Sequence, residues 1–169
     1  MGTFVTTSDF TNKFEMSTGM YANTKIQDYI DRYESIYLAE LLGIDLYNLF
    51  IADVVAGVPT TDIYLQIFNE FMSEDDIRLI ISRGMKDMLL GFIYFEYQKD
   101  MVTQMTPNGV VKQENENSKP ISAHTTIFGR YNESVKTYQA IQDYILLNLS
   151  DYPAFRGKGK QYAYWLWEK

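Results

Sequence analysis

The chain contains no cysteine, a single histidine, only four prolines and no long apolar run. Each shortage removes a class of explanation. Without cysteine there is no disulfide framework and no thiolate metal site, so stability has to come from packing or from association. One imidazole, His124, cannot form a histidine cluster. A bilayer-spanning helix needs about 20 predominantly apolar residues, and no run approaches that length. No basic-plus-apolar leader opens the sequence, so secretion is not expected. Met1-Gly2-Thr3-Phe4-Val5-Thr6 fits the loose N-myristoylation pattern, but it lacks the polybasic partner that makes a single acyl chain a stable anchor.

What remains is a chain of 169 residues, 46% hydrophobic and 22% charged, the profile of one globular domain with a real core. Its net charge of −7 argues against general nucleic-acid binding, because phosphate repels an acidic surface. The charge is unevenly placed. Arg156, Lys158, Lys160 and Lys169 against Glu168 give the last 16 residues a net +3, which leaves −10 on the preceding 153. A basic tail on an acidic body suits contact with an acidic neighbour, including another copy of the same chain.

Hydrophobic periodicity predicts a mainly α-helical domain over residues 1–153. A short helical signal at Ser8-Asp9-Phe10 is followed by a Gly/Ser/Thr/Asn stretch. Thr24-Lys25-Ile26-Gln27 reads as a capping box that starts a helix with Ile26, Tyr29, Ile30, Tyr33, Tyr37 and Leu41 on one stripe. A break is expected near Glu34-Ser35 and a stop at Gly43. A second helix is expected over 45–56, ended by Gly57 and Pro59, and a third from Thr60 or Thr61 to Met72. Ile77, Leu79, Ile80 and Ile81 fit a short strand or an extra helical turn, and periodicity does not decide between them. Ser82 is the expected N-cap of a helix over 83–104 that is apolar or aromatic on nearly every face, which marks it as the central helix. Ser122 is expected to cap the longest helix, 122–149, with Ile127, Tyr131, Val135, Tyr138, Ile141, Tyr144, Ile145 and Leu149 in register. The segment 154–169 is an extended aromatic and basic tail whose Tyr162, Tyr164 and Trp165 need a partner to leave water.

Recognisable chemistry is sparse. His124 sits too close to Ser122 for a nucleophile and a separately held base. Lys158-Gly159-Lys160 lacks both the upstream glycine and the following Ser or Thr of a phosphate loop. Glu74-Asp75-Asp76 lacks the alternating spacing of a calcium loop. Glu96 and Asp100 stand at i,i+4, but a di-metal site would need Glu-x-x-His motifs, and a solvated or interface-facing acidic stripe is the expected reading. No catalytic, cofactor or metal site is therefore expected.

Between the two strongest helices lies "TQMTPNGVVKQENENSKPIS", residues 103–122. Connections in compact domains usually run about 4–6 residues, and longer ones tend to be functional or disordered. Asn108-Gly109 is a turn signal and Val110-Val111 has strand propensity, so the arm fits a hairpin or a single strand added to another chain's edge. Thr103, Gln104, Thr106, Lys112, Gln113, Asn115 and Asn117 supply polar groups for close packing against a neighbour. Together with Arg156, Lys158, Lys160, Tyr162, Tyr164 and Trp165, they form the expected subunit and partner interface.

"GMKDMLLGFIYFEYQKDMVTQMTPNGVVKQENENSKPIS", followed by "RYNESV" and preceded by "YLAELLGIDLYNLF", resembles the head-to-tail connector (adaptor) proteins of tailed bacteriophages, above all those of Bacteroides and crAss-like phages. The resemblance covers about residues 24–150 and rests on no catalytic motif. It implies a helical subunit that closes into a dodecameric ring in the virion neck and is assembled in the host cytoplasm. Such a ring docks on the portal protein, carries further neck or tail proteins, and lets DNA through its lumen without sequence-specific contact. It also implies no enzymatic activity and no cofactor. The residues alone leave two other classes open. One is a non-viral helical interaction or scaffold module. The other, ranked last, is a metal-dependent enzyme using Glu74, Asp75, Asp76 or Glu96.

Overall fold

A computed structural model describes residues 2–16, 22–74, 78–106, 109–112 and 123–157. The protein is mainly α-helical. Among the described residues five α-helices, α1 (Ala22–Leu42), α2 (Ile44–Ala52), α3 (Asp62–Phe68), α4 (Met85–Val102) and α5 (Ala123–Leu147), share one core. Among the described residues the strands form three two-stranded antiparallel ribbons, β1–β2 (Val54–Val55 and Val58–Pro59), β3–β4 (Phe71–Glu74 and Leu79–Ser82) and β5–β6 (Thr103–Thr106 and Gly109–Lys112).

Helix α4 is the centre. Every residue from Met88 to Tyr97 is buried, so no side of this stretch faces water. Neighbours cover it from several directions. On the α1 side, Tyr37 stacks on Phe92 at 4.4 Å and Tyr29 meets Tyr97 edge-on at 5.4 Å. On the α5 side, Tyr131 lies 5.3 Å from Phe92 and 4.5 Å from Phe95. Gly91 permits this close approach: a Cβ there would collide with the Ser134 hydroxyl. The N-terminal segment closes another side through Phe14, 6.0 Å from Tyr94.

That segment folds as two short 3-10 turns, Thr7–Asp9 and Asn12–Phe14, with Phe4, Val5, Phe10, Phe14 and Met16 all in the core. It is held by a buried carboxylate. Glu34 accepts the backbone N–H of Thr3 at 2.6 Å, of Phe4 at 3.1 Å and of Val5 at 2.9 Å. A buried charge is tolerated when such hydrogen bonds satisfy it. The expected break at Glu34-Ser35 is therefore absent: the polar pair interrupts the apolar stripe because Glu34 anchors the N-terminal segment. Helix α1 also begins earlier than the capping box implies, so Thr24 lies inside its first turn, and Gln27 pairs forward with Asp31 at 2.7 Å.

Gly43 does end α1. Its φ of +76° suits glycine, and α2 leaves at 117° to α1. A Cβ there would come within 2.6 Å of the Arg156 carbonyl carbon, so a side chain is excluded by packing as well. Helix α2 stops at Ala52, short of the expected 56, because Asp53 turns to serve the next element. Its carboxylate accepts the N–H groups of Thr60 and Thr61, both at 2.8 Å, and their hydroxyls at 2.8 and 2.6 Å. The residues between form the β1–β2 ribbon around Ala56 and Gly57, both at positive φ, the geometry of a tight hairpin turn.

Helix α3 likewise ends at Phe68, and Phe71 and Met72 belong to β3. The open alternative resolves as strand for Leu79, Ile80 and Ile81 in β4, which pairs Phe71 with Ser82 and Met72 with Ile81, while Ile77 lies outside the described residues. Ser82 is two residues too early to cap α4. It is buried, and its hydroxyl accepts the Gly84 N–H at 3.1 Å. Helices α4 and α5 come out shorter than the expected 83–104 and 122–149, and Ser122 lies outside the described residues. The core runs past the expected boundary at 153. Tyr152 and Phe155 are buried, the Tyr152 hydroxyl donates to the Ile63 carbonyl at 2.6 Å, and the Arg156 N–H donates to the Leu42 carbonyl at 3.4 Å.

Two consequences can be measured. Phe92→Ala, at the junction of α1, α4 and α5, should cost about 3–5 kcal/mol by urea denaturation, the usual range for emptying a large aromatic site. The Asp53 carboxyl is held down to about 2 from its ordinary 3.8, foremost by the Thr61 hydroxyl. The folded value lies below the unfolded one, so this contribution is complete above about pH 4 and lost as pH falls towards 2. Asp53→Asn should therefore melt below the parent at pH 6, with the gap in Tm narrowing as both are titrated from pH 4 to pH 2.

Candidate assembly surfaces

The expected arm starts where α4 ends. The backbone passes from Val102 directly into β5, and β5 pairs with β6 in the register Thr103↔Lys112, Gln104↔Val111, Met105↔Val110 and Thr106↔Gly109. Of the two forms open in the sequence, the backbone takes the hairpin. It brings Thr103, Gln104, Thr106, Gly109, Val110, Val111 and Lys112 together on one ribbon. The ribbon continues α4 without a break, Val102 being followed directly by Thr103. Asn108, Gln113, Asn115 and Asn117 lie outside the described residues, as do Lys158, Lys160, Tyr162, Tyr164 and Trp165 of the tail. Arg156 is exposed at the root of that tail, where its guanidinium donates to the carbonyls of Pro153 at 3.0 Å and Phe155 at 2.7 Å.

The Glu96/Asp100 pair departs from expectation. Glu96 is buried and accepts the Tyr37 hydroxyl at 3.0 Å, with the Lys99 ammonium as its second partner. Asp100 accepts the Tyr29 hydroxyl at 2.6 Å. Each carboxylate is thus engaged by a tyrosine of α1, but only Glu96 is buried; Asp100 stays exposed, so the expected solvated stripe fails at Glu96 alone. Burial, reinforced by Glu96, pushes the Tyr37 phenol well above its usual range, and burial with Asp100 does the same to Tyr29. Both phenols therefore remain protonated donors at any ordinary pH. Among the described residues no three His, Asp or Glu side chains converge as a ligand set. Glu74 is exposed at the end of β3, while Asp75 and Asp76 lie outside the described residues.

A surface that sequence reasoning missed is the outer side of β3–β4. Strand alternation turns Phe71, Ser73, Ile80 and Ser82 inward and Met72, Glu74, Leu79 and Ile81 outward. Met72 is 68% exposed, Ile81 53% and Leu79 48%, so three of the four outward residues are large aliphatics. The signal was present in Leu79-Ile80-Ile81, an apolar run too continuous for a strand with one wet face. On its inner side the ribbon rests on α5, where Phe71 meets Tyr144 at 4.8 Å. An open groove between β4 and α5 is lined by Arg78, Lys136, Gln139 and Asp143, with Arg78 and Asp143 paired at 3.0 Å. A smaller aliphatic patch, Val55 and Val58, flanks the β1–β2 turn.

No protein-family model, no curated protein and no solved structure matches the chain. The surfaces themselves therefore carry the functional argument.

Removing the Tyr37 hydroxyl tests the α1–α4 tie. Tyr37→Phe leaves the buried Glu96 carboxylate short of one donor and should cost about 1–3 kcal/mol by urea denaturation. Adding Glu96→Gln to that variant should recover part of the loss, because the group left short of a donor is then neutral.

Proposed function

We propose that this chain is a non-enzymatic structural protein of a tailed-bacteriophage virion, a head-to-tail connector whose copies close into a ring in the neck. The ring joins the portal to the tail and extends the channel through which DNA passes. The observation that carries this reading is the β5–β6 hairpin, which continues off the end of the central helix within the stretch where the sequence resembles connector proteins. A two-stranded ribbon is marginal by itself in water. One that extends from the end of a helix gains from an added surface, and a neighbouring copy supplies it.

Ring closure needs two different surfaces on each subunit, one meeting the copy ahead and one the copy behind. The hairpin and the aliphatic face of β3–β4 are two such surfaces on one chain. The acid excess of −10 over the first 153 residues suits a conduit, because a repelling wall keeps DNA from adhering.

Assembly state tests the proposal. Purified protein at high concentration, with its portal partner present, should give high-order rings by native mass measurement and negative-stain microscopy. A protein that stays monomeric under those conditions overturns the connector reading in favour of a helical interaction module. Deleting 106–118 should preserve the helical circular-dichroism signal and abolish the rings; loss of the helical signal would instead place the arm in the core.

A further inference from the structure

The outer face of β3–β4 is aliphatic where a half-buried ribbon is normally polar. Met72 stands opposite Ile81, and Glu74 opposite Leu79. Glu74, the fourth outward residue, puts an exposed carboxylate among the three aliphatics.

One segment of this chain has the complementary chemistry. Twelve residues follow Gly157, and they read "KGKQYAYWLWEK". Lys158, Lys160 and Lys169 against Glu168 give a net +2, and the middle of the segment is almost wholly aromatic or aliphatic. Tyr and Trp supply large contact area at low conformational cost.

We infer that the aromatic segment 161–168 of one copy covers the outer face of β3–β4 on the next, with its lysines drawn towards Glu74. The tail departs at Gly157, where an added Cβ would sit 2.5 Å from the Leu41 carbonyl oxygen. The eight residues from Lys158 to Trp165 reach about 26–29 Å when fully extended, enough to leave the subunit and cross to an adjoining copy. In a ring that copy presents its own β3–β4 face, with Met72, Leu79 and Ile81 exposed.

This inference rests on the ring reading, and one experiment separates the two. Trp165→p-benzoylphenylalanine is placed in the full chain, and ¹⁴N- and ¹⁵N-labelled protein is mixed, assembled, irradiated and mapped by mass spectrometry. The expected product is a mixed-isotope cross-link from position 165 to β3 or β4. Adding Met72→Glu with Ile81→Glu, both at exposed positions, should leave the melting temperature nearly unchanged and lower that cross-link at least about tenfold, since buried apolar anchors dominate such contacts. Rings that form with the cross-link inside one isotope, or to another surface, overturn the inference and leave the ring standing. A persistent monomer removes the ring and this inference together. Rings that form normally, with the cross-link undiminished in the double variant, also overturn it.

Discussion

Everything in this fold answers to one constraint: the middle of α4, Met88 to Tyr97, has no side that can face water. A single partner helix covers only one stripe of another, so burying all of α4 takes several elements at once. Helix α1 contributes Tyr37 and α5 contributes Tyr131 and Tyr138, all around Phe92. The N-terminal segment adds Phe14 against Tyr94. Aromatic rings suit this role because each fills a large volume and offers edge and face to different neighbours.

The polar groups at the core do structural work under the same constraint. Glu34 converts the irregular N-terminal segment into a fixed wall by satisfying three backbone donors in succession. Glu96 holds the Tyr37 hydroxyl, which would otherwise enter the α1–α4 seam without a partner, and Asp100 accepts the Tyr29 hydroxyl at the exposed end of that seam. Among the described residues no buried side-chain nitrogen or oxygen is left without a hydrogen bond. The scarcity of proline and the lack of disulfides are thus offset by satisfied polar anchors inside an aromatic core.

Much of this was legible in the sequence wherever order is local. The stripes of α1, α4 and α5, the centrality of α4 and the stop at Gly43 follow from periodicity and from glycine's freedom at positive φ. What was not legible depends on distant partners. Glu34 looks like an interruption until the N–H groups of Thr3, Phe4 and Val5, about 30 positions away, are seen to end on it. Asp53 looks like helix interior until Thr60 and Thr61 claim its carboxylate. The Glu96/Asp100 spacing does not reveal that Glu96 is buried against Tyr37 while Asp100 stays exposed beside Tyr29, and only the packing of α1 decides. Of the candidate interface, Asn-Gly and Val-Val pointed to a hairpin or an added strand without deciding between them, while the β3–β4 face was hidden by the ambiguity of a short apolar run.

That hidden face bears on why a small helical domain carries ribbons at all. A helix exposes an apolar stripe only where its neighbours leave one uncovered, whereas a two-stranded ribbon always has two faces and two open edges. Here β3–β4 spends one face on α5 and leaves Met72, Leu79 and Ile81 on the other. Solvent-facing aliphatics on an open ribbon invite non-specific association. Retaining them on an acidic, otherwise well-satisfied domain makes physical sense when a defined occupant covers them. The hairpin β5–β6, continuing from the end of α4, offers the proposed neighbour a second ribbon. In the proposed ring the helices set the rigid angle between subunits, and the ribbons and the aromatic tail supply the adhesive surfaces.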